Sequence, residues 1–317
     1  MQVKFWGTRG SIPVAPDNAQ LQERIKSVLI DAVRQEIHQE SQISQFCDNL
    51  PFYLTHSFGG NTSCVEIQAG QEDYILLDAG TGIRDFGGAY MMERAPRSKT
   101  FHILLSHLHW DHIMGFPFFT PAYIPGHKII FYGCHNQIEE TIRRQHSGPN
   151  FPVQFDALGA DIEFVQFSPD EPISVAGLNI SAYLQLHEGD SYGYRISDGD
   201  NDVVYSTDSE HKVDNQEELN EFVKFIGDAD FVIFDAMYSL LDSVTLKEDW
   251  GHSSNLMGVE LCLRANAKKL CLFHHDPTNS DEQLYNTLLE ARNYLNLMEN
   301  SHRLRIESAY DGLSVEI

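Results

Sequence analysis

Basic residues are scarce in this sequence: 22 lysines and arginines stand against 46 aspartates and glutamates, which gives a net charge of −24 over 317 residues. A surface with this excess of negative charge repels polyanions, and we find no basic stripe that would offset it, so extended nucleic acid is not the partner we expect. The sequence also lacks any apolar run near the roughly 20 residues of a membrane span. Because the N-terminus shows no hydrophobic signal region, we expect a cytoplasmic protein with no membrane partner.

Paired cysteines are missing as well. The five cysteines are odd in number and form no C-x-x-C motif: Cys47, Cys64, Cys134, Cys262 and Cys271. Three of them, Cys64, Cys262 and Cys271, lie in apolar stretches and are expected to be buried free thiols. This pattern excludes a disulfide scaffold and indicates a reducing compartment.

What the sequence does contain is a dense run of metal-binding side chains, His107-Leu108-His109-Trp110-Asp111-His112, directly after the apolar strand at 101–105. Alternate side chains of an extended segment point the same way, so His107, His109 and Asp111 can converge on one pocket, with His112 reaching a second point nearby. Four ligands exceed what one tetrahedral zinc site needs. The run therefore predicts two metals, with His107 and His109 on one and Asp111 and His112 on the other. The alternative is a histidine-rich loop without metal.

Three further residues follow β-like runs in the same way as His107. His187 follows the run 178–186, Asp208 follows 203–206, and His274 follows 270–273. Enzymes commonly gather functional side chains from strand ends onto one rim of a sheet. Taken singly, each residue is more simply a turn or cap. Together with the cluster, His187 would complete a three-histidine site, His274 would serve the second metal, and Asp208 could bridge both.

In this order the residues resemble the metallo-β-lactamase superfamily, specifically its phosphodiesterase branch near ribonuclease Z. The resemblance implies a four-layer αββα sandwich with two mixed sheets and helices outside. It also implies a full ligand set, with the first metal on His107, His109 and His187, the second on Asp111, His112 and His274, and Asp208 between them. Asp78, at the end of its strand, matches a family aspartate that supports the ligands from behind.

Other short sequence motifs indicate which branch of the superfamily the chain resembles. Gly251-His252-Ser253 resembles the G-H-S/T element whose histidine acts at the scissile phosphate, so His252 is expected to be catalytic together with Asp111; the alternative is a helix cap. Residues 58–64, 191–195 and 274–277 look like a bacterial and phage subgroup that includes cyclic-nucleotide and anti-Pycsar phosphodiesterases. Asn61 and Thr62, in the first of these strings, are expected to contact substrate.

Two features depart from ribonuclease Z. Only twenty residues separate His187 from Asp208, which leaves no room for the arm that grips tRNA in that family. A helical segment at about 16–57 is extra, with apolar residues at helical spacing between 20 and 47 that form one long helix or two short ones. We predict a single domain, 1–317, carrying this segment as an insertion that covers the active-site rim, forms a homodimer interface, or packs on its own domain.

The predicted chemistry is hydrolysis with two divalent ions, zinc by expectation and manganese as the alternative, because such ions activate water near neutral pH. His252 would protonate the departing oxygen, since an ordinary histidine titrates near pH 6.5. The favoured substrate is a small anionic phosphodiester, a 3′,5′-cyclic nucleotide opened to a nucleoside 5′-monophosphate. The alternatives are a tRNA 3′-processing nuclease, a thioester or lactone hydrolase, and a sensor that binds metal or nucleotide without turnover.

Overall fold

The computed structural model describes residues 1–94, 96–240, 249–298 and 301–317. Within these residues the strands are β1 (Gln2–Gly7), β2 (Cys64–Gln68), β3 (Tyr74–Leu77), β4 (Thr100–Leu104), β5 (Lys128–Gly133), β6 (Asp161–Gln166), β7 (Ile173–Val175), β8 (Leu178–Leu184), β9 (Tyr192–Ser197), β10 (Asp202–Ser206), β11 (Phe231–Asp235), β12 (Lys269–Phe273), β13 (Arg305–Ser308) and β14 (Ser314–Glu316). The α-helices are α1 (Asn18–Arg34), α2 (Glu40–Asp48), α3 (Phe52–Thr55), α4 (Gly82–Met92), α5 (Trp110–Ile113), α6 (Ile138–Gln145), α7 (Gln216–Phe225), α8 (Asn255–Arg264) and α9 (Asp281–Asn296).

The strands form two sheets of seven, in the orders β14-β1-β2-β3-β4-β5-β6 and β13-β12-β11-β10-β9-β8-β7. Each sheet has a parallel half, β3 to β6 in one and β10 to β13 in the other, and an antiparallel half. Parallel neighbours need a crossover connection, which helices such as α4, α6, α7, α8 and α9 provide. The carboxyl ends of β3 and β4 and of β10 to β12 meet at one rim, and this is where the candidate site lies.

The main core lies between the sheets. It joins Phe5 and Ile75 from the first sheet to Tyr205, Phe231 and Phe273 from the second, all fully buried or nearly so. A second cluster packs α7, α8 and α9 on the outer face of the second sheet, and a third packs α4 and the turns at 116–123 on the outer face of the first. This layering confirms the predicted αββα sandwich.

The five cysteines are all free, and Cys64, Cys262 and Cys271 are buried, as predicted. None of the described helices combines the length and the apolar character that a crossing of the bilayer demands.

The segment at 16–57 forms two helices and one short helical turn, α1 to α3. A capping box between Asp17 and Gln20 begins α1, which buries none of its residues. Phe46 on α2 is buried, and Arg24 on α1 pairs with Asp281 at the start of α9 and donates to the carbonyl of His56. The apolar stripe of α1 nevertheless stays exposed, at Leu21, Ile25, Leu29, Ile30 and Val33.

Candidate metal centre

Four candidate ligands come from the loop after β4, which carries His107 and His109, and from α5, which carries Asp111 and His112. His107 and His112 are fully buried and Asp111 is 7% exposed. His109 and Trp110 are both exposed, and Asp111 and His112 are both buried, so burial does not alternate along this run. The helical turn α5, and not an extended backbone, directs Asp111 and His112 toward the site, so the predicted strand-like alternation is wrong although the side chains do come together.

The remaining ligands come from the second sheet. His187 follows β8, Asp208 follows β10, and His274 is the first residue after β12. Asp208 and His274 have φ values of 51° and 57°, in the left-handed region that residues other than glycine seldom adopt. Such backbone strain clusters at functional sites, where the surrounding structure enforces it. The site is thus built from strand ends of both sheets.

The first group of ligand atoms comprises His107, His109, His187 and Asp208. The Nδ1 of His109 lies 3.2 Å from the Nε2 of His187, and Oδ2 of Asp208 lies 3.7 Å from Nε2 of His107 and 3.6 Å from Nε2 of His187. Nε2 of His107 is buried and has no hydrogen-bond partner among the described residues. Burial lowers the pKa of all three imidazoles, which keeps them in the neutral form that binds a cation.

The second group comprises Asp111, His112, Asp208 and His274. Nε2 of His112 lies 3.1 Å from Oδ1 of Asp208, 3.2 Å from Nε2 of His274 and 3.3 Å from Oδ2 of Asp111. Nε2 of His274 is 3.2 Å from each of the two carboxylate oxygens. Ligands about 2.0–2.1 Å from a tetrahedral ion lie about 3.3–3.4 Å from one another. The spacing of these four atoms therefore fits a divalent cation.

Asp208 is shared by both groups, because Oδ2 faces the first and Oδ1 faces the second. Burial alone would raise the pKa of this carboxyl group, but His274, His112 and His107 outweigh burial and hold the pKa well below its ordinary value. Burial would likewise lower the pKa of His112, yet Asp111, Asp208 and Asp78 raise it well above its usual range. A buried carboxylate cluster of this kind attracts positive charge, and divalent cations bound there would satisfy it together with the orphaned Nε2 of His107.

Asp78 supports the site from behind the ligands, as the resemblance implied. Its fully buried carboxylate accepts hydrogen bonds from the Ser106 N–H (2.7 Å), the Ser106 hydroxyl (2.8 Å) and the Tyr205 hydroxyl (2.7 Å), and lies 2.7 Å from Nδ1 of His112. Because Nδ1 of His112 carries a proton toward Asp78, Nε2 is the nitrogen that faces the ligand group.

Two glycines make room for the ligand rings. A Cβ at Gly251 would lie 2.3 Å from Nδ1 of His187, and a Cβ at Gly10 would lie 2.6 Å from Cε1 of His274. The carbonyl of Gly251 accepts the Nδ1–H of His187 at 2.9 Å, which turns Nε2 of His187 toward the first group. Next to Gly10, the N–H of Ser11 donates to Oδ2 of Asp111 at 2.6 Å.

His252 lies beside this ligand set. Its Nδ1 is 2.7 Å from Oδ2 of Asp235 and 4.0 Å from Oδ2 of Asp208, and its ring stacks on His274 with centroids 5.1 Å apart. Burial would lower the pKa of His252, but Asp235 and then Asp208 raise it to about 9. Since Nδ1 is taken by Asp235, Nε2 is the nitrogen that can meet a substrate.

Two residues that support the site were not predicted from the sequence. Asp235, the last residue of β11, holds His252, and with His252 and His274 it forms a third group of potential ligand atoms. Glu210 accepts the N–H groups of Asp249 and Gly251 at 3.1 Å each, and so fixes the turn whose carbonyl orients His187. Asp235 ends an apolar strand, as the predicted ligands do, and that signal would have found it. Glu210 has backbone partners distant in sequence, and no local pattern marks it.

The predicted substrate contacts lie elsewhere. The amide of Asn61 donates to Asp85 at 2.7 Å, and the fully buried Thr62 exchanges hydrogen bonds with Thr81. Both side chains therefore face the start of α4, and neither belongs to a group of potential metal ligands. Their role in binding substrate stays a prediction.

A cavity of about 210 Å³ adjoins the site on the side of His252. A second cavity, of about 230 Å³, lies between α1, α3 and the start of α9 and contains none of the predicted ligands.

Known proteins share this sequence pattern and this architecture. A model of the family described as "Beta-lactamase superfamily domain" matches residues 73–275, which include all seven predicted ligands and His252. The chain is 25% identical to the probable metallo-hydrolase YhfI of Bacillus subtilis over 230 residues, which are 68% of this chain and 83% of that protein. It is 23% identical to a ribonuclease Z of Picrophilus torridus over 267 residues, 70% of this chain and 82% of the relative.

Two solved structures share the fold. The crystal structure of YhfI aligns with a TM-score of 0.66 at 19% identity, covering 100% of this chain and 98% of YhfI. A diphosphatase from the PhnP family aligns with a TM-score of 0.60 at 18% identity, covering 100% of this chain and 97% of that structure.

Proposed function

The chain belongs to the metallo-β-lactamase superfamily, in its ribonuclease Z-like branch, and is a metal-dependent hydrolase; we propose that it opens 3′,5′-cyclic nucleotides to nucleoside 5′-monophosphates. The proposal includes two ions per chain, zinc or alternatively manganese, held by the two ligand groups that share Asp208. The position of His252 is the main support for this proposal. Asp235 holds its ring beside the two ligand groups, and the ring lines a cavity large enough for part of a small ligand.

The ligand set supports hydrolysis. When bound, two divalent ions supply activation of water and neutralisation of the charge that builds up on phosphoryl oxygens. Asp111 contributes by offering Oδ2 to the second group, where the Ser11 N–H fixes its orientation. In this proposal the catalytic role of Asp111 is to hold this oxygen in place as a metal ligand.

His252 supplies the proton that the leaving oxygen requires. In the proposed step a water oxygen forms a bond to phosphorus, the bond from phosphorus to O3′ breaks, and Nε2 of His252 donates its proton to O3′. The proton lost by the water restores His252. Asp235 keeps the ring in place and stabilises its protonated form, because its carboxylate accepts the Nδ1–H.

Substrate size is the second argument. The interval between His187 and Asp208 contains the whole of β9 and β10, both of which pair within the second sheet. This interval therefore has no room for an arm that grips tRNA, and the net charge of −24 opposes a long polyanion. A single cyclic phosphodiester needs only the metal ligands, a proton donor and a small pocket.

The test is a substrate panel with zinc- or manganese-loaded protein. We expect turnover of 3′,5′-cyclic mononucleotides and little cleavage of pre-tRNA, thioesters or lactones at physiological salt, followed by chromatography of the products. Efficient trimming of pre-tRNA with cyclic nucleotides untouched would overturn the substrate assignment. Binding of metal and nucleotide without any turnover would favour a sensor.

The role of His252 has its own test. His252→Ala should retain both metals and the melting temperature but lose about 10²- to 10⁴-fold in kcat. As a comparison, Asp208→Ala should lose most of both metals, because both ligand groups share this residue. Loss of metal from His252→Ala would instead make His252 a ligand.

A further inference from the structure

The cavity beside His252 has a mixed lining. Val213, Leu240 and Met257 contribute apolar surface, and Lys212, Ser254 and His252 contribute polar groups. The other cavity, of about 230 Å³, touches neither His252 nor any predicted metal ligand. Of these two cavities, only the first can receive a group attached to the reacting phosphate.

The direction of proton transfer decides which part of the substrate enters this cavity. Nδ1 of His252 is held by Asp235, so the leaving oxygen must approach Nε2. Whatever is bonded to that oxygen then lies on the His252 side of the metal centre. In a 3′,5′-cyclic nucleotide the leaving O3′ belongs to the ribose, which also carries the base.

We propose that the cavity lined by Val213, Leu240 and Met257 is the nucleoside subsite, which takes the ribose and base of the cyclic nucleotide. This inference rests on the proposed function. The apolar side chains suit the faces of a flat heterocycle, and the polar groups at the edge suit its hydrogen-bonding atoms.

The charged residues around the cavity also affect which substrates it can accept. Glu210 and Asp214 also line the cavity, and Asp249 pairs with Lys212 next to it. Among the described residues, these three carboxylates outnumber the two positive groups, the Lys212 ammonium and the His252 imidazole that the proposed step requires to be protonated, so a further phosphate on the leaving side is disfavoured. The subsite therefore accepts a nucleoside and rejects the next nucleotide of a linear chain, so it selects mononucleotides at the reacting end.

The experiment compares two substrates that share the reacting phosphate. One is 3′,5′-cyclic AMP, and the other is the corresponding cyclic phosphate of a ribose analogue without a base. The zinc-loaded full chain should favour the substrate with the base in kcat/KM. Val213→Trp, at a position that is 61% exposed and so tolerates a larger side chain, should fill the cavity and lower that preference about 10- to 100-fold.

A second variant tests the opposite change. Met257→Ala enlarges the cavity and should raise kcat/KM for purine relative to pyrimidine cyclic nucleotides. Ser27→Trp serves as the matched control, because Ser27 lines the other cavity, and it should leave the preference for the base unaltered. An unaltered preference in both Val213→Trp and Met257→Ala overturns the subsite alone. If the wild-type chain hydrolyses neither substrate, the proposed function fails and the subsite fails with it.

Discussion

Replacement of Asp78 by asparagine tests how far the metal centre depends on the residue behind it. Oδ1 of Asp78 accepts the Ser106 N–H, while Oδ2 faces the hydroxyls of Ser106 and Tyr205 and Nδ1 of His112. An amide keeps the shape but has one accepting edge and one donating edge. Whichever way it turns, an N–H of the amide meets a donor at one edge, so at least one hydrogen bond to a buried charged group is lost.

A hydrogen bond of that kind contributes about 1.5–3 kcal/mol, so Asp78→Asn should lower the free energy of unfolding of the metal-free chain by about 2–3 kcal/mol. The hydroxyls of Ser106 and Tyr205 can accept from an amide N–H and the backbone N–H of Ser106 cannot, so the amide nitrogen should take the place of Oδ2. The Nδ1–H of His112 then loses its acceptor, and affinity for the ion in the second group should fall about 10- to 100-fold. Denaturant unfolding measures the first effect and competition with a chelator measures the second. Asp85→Asn, on an exposed side chain, is the control and should change stability by less than about 0.5 kcal/mol. Wild-type stability and metal affinity in Asp78→Asn would refute the reasoning.

Three further predictions follow from other parts of the structure. Glu210→Gln should loosen the turn at 249–251 that orients His187, and so weaken the ion in the first group about 10-fold in chelator competition while the second ion stays bound. Burial lowers the pKa of His127, so its contribution to stability is full above about pH 6.5 and is lost as the pH falls toward the folded-state value; the stability advantage of wild type over His127→Gln should therefore shrink between pH 7 and pH 5. If the exposed stripe of α1 forms a homodimer interface, the wild-type chain should sediment as a dimer and Leu29→Glu as a monomer.

Each of these predictions has a contrary outcome. Equal loss of both ions would assign Glu210 a general structural role. A stability difference that is independent of pH would show that the ring of His127 does not resist protonation in the folded chain. A monomeric wild-type chain would indicate that α1 packs only on its own domain and forms no homodimer interface.

The proximity of the candidate metal ligands could be predicted from the sequence because strand ends leave a local signal. A buried apolar run that stops at a histidine or aspartate is visible without any knowledge of the fold, and the structure brings His107, His187, Asp208 and His274 together as that rule expects. The same rule applied to the run at 231–234 would have added Asp235. The runs at 101–105, 178–186, 203–206 and 270–273 end within two residues of β4, β8, β10 and β12.

What the sequence could not give depends on contacts between distant segments. β14 pairs with β1, with Val315 opposite Val3, although it is only three residues long and has no clear pattern of its own. Glu210 is functional only because the turn at 249–251 packs over it. The hydrogen bond from Asn61 to Asp85 joins residues 24 positions apart, and the motif at 58–64 gives no sign of it.

The order of the sheets gives the chain a natural place to be divided. The first sheet is complete at β6 except for β14, and the second begins at β7, so a cut at 167–172 would separate His107, His109, Asp111 and His112 from His187, Asp208 and His274. Neither fragment alone would hold a full set of ligands for either ion. Because the main core lies between the two sheets, two such fragments could reassemble through that apolar surface, and hydrolytic activity would require both of them.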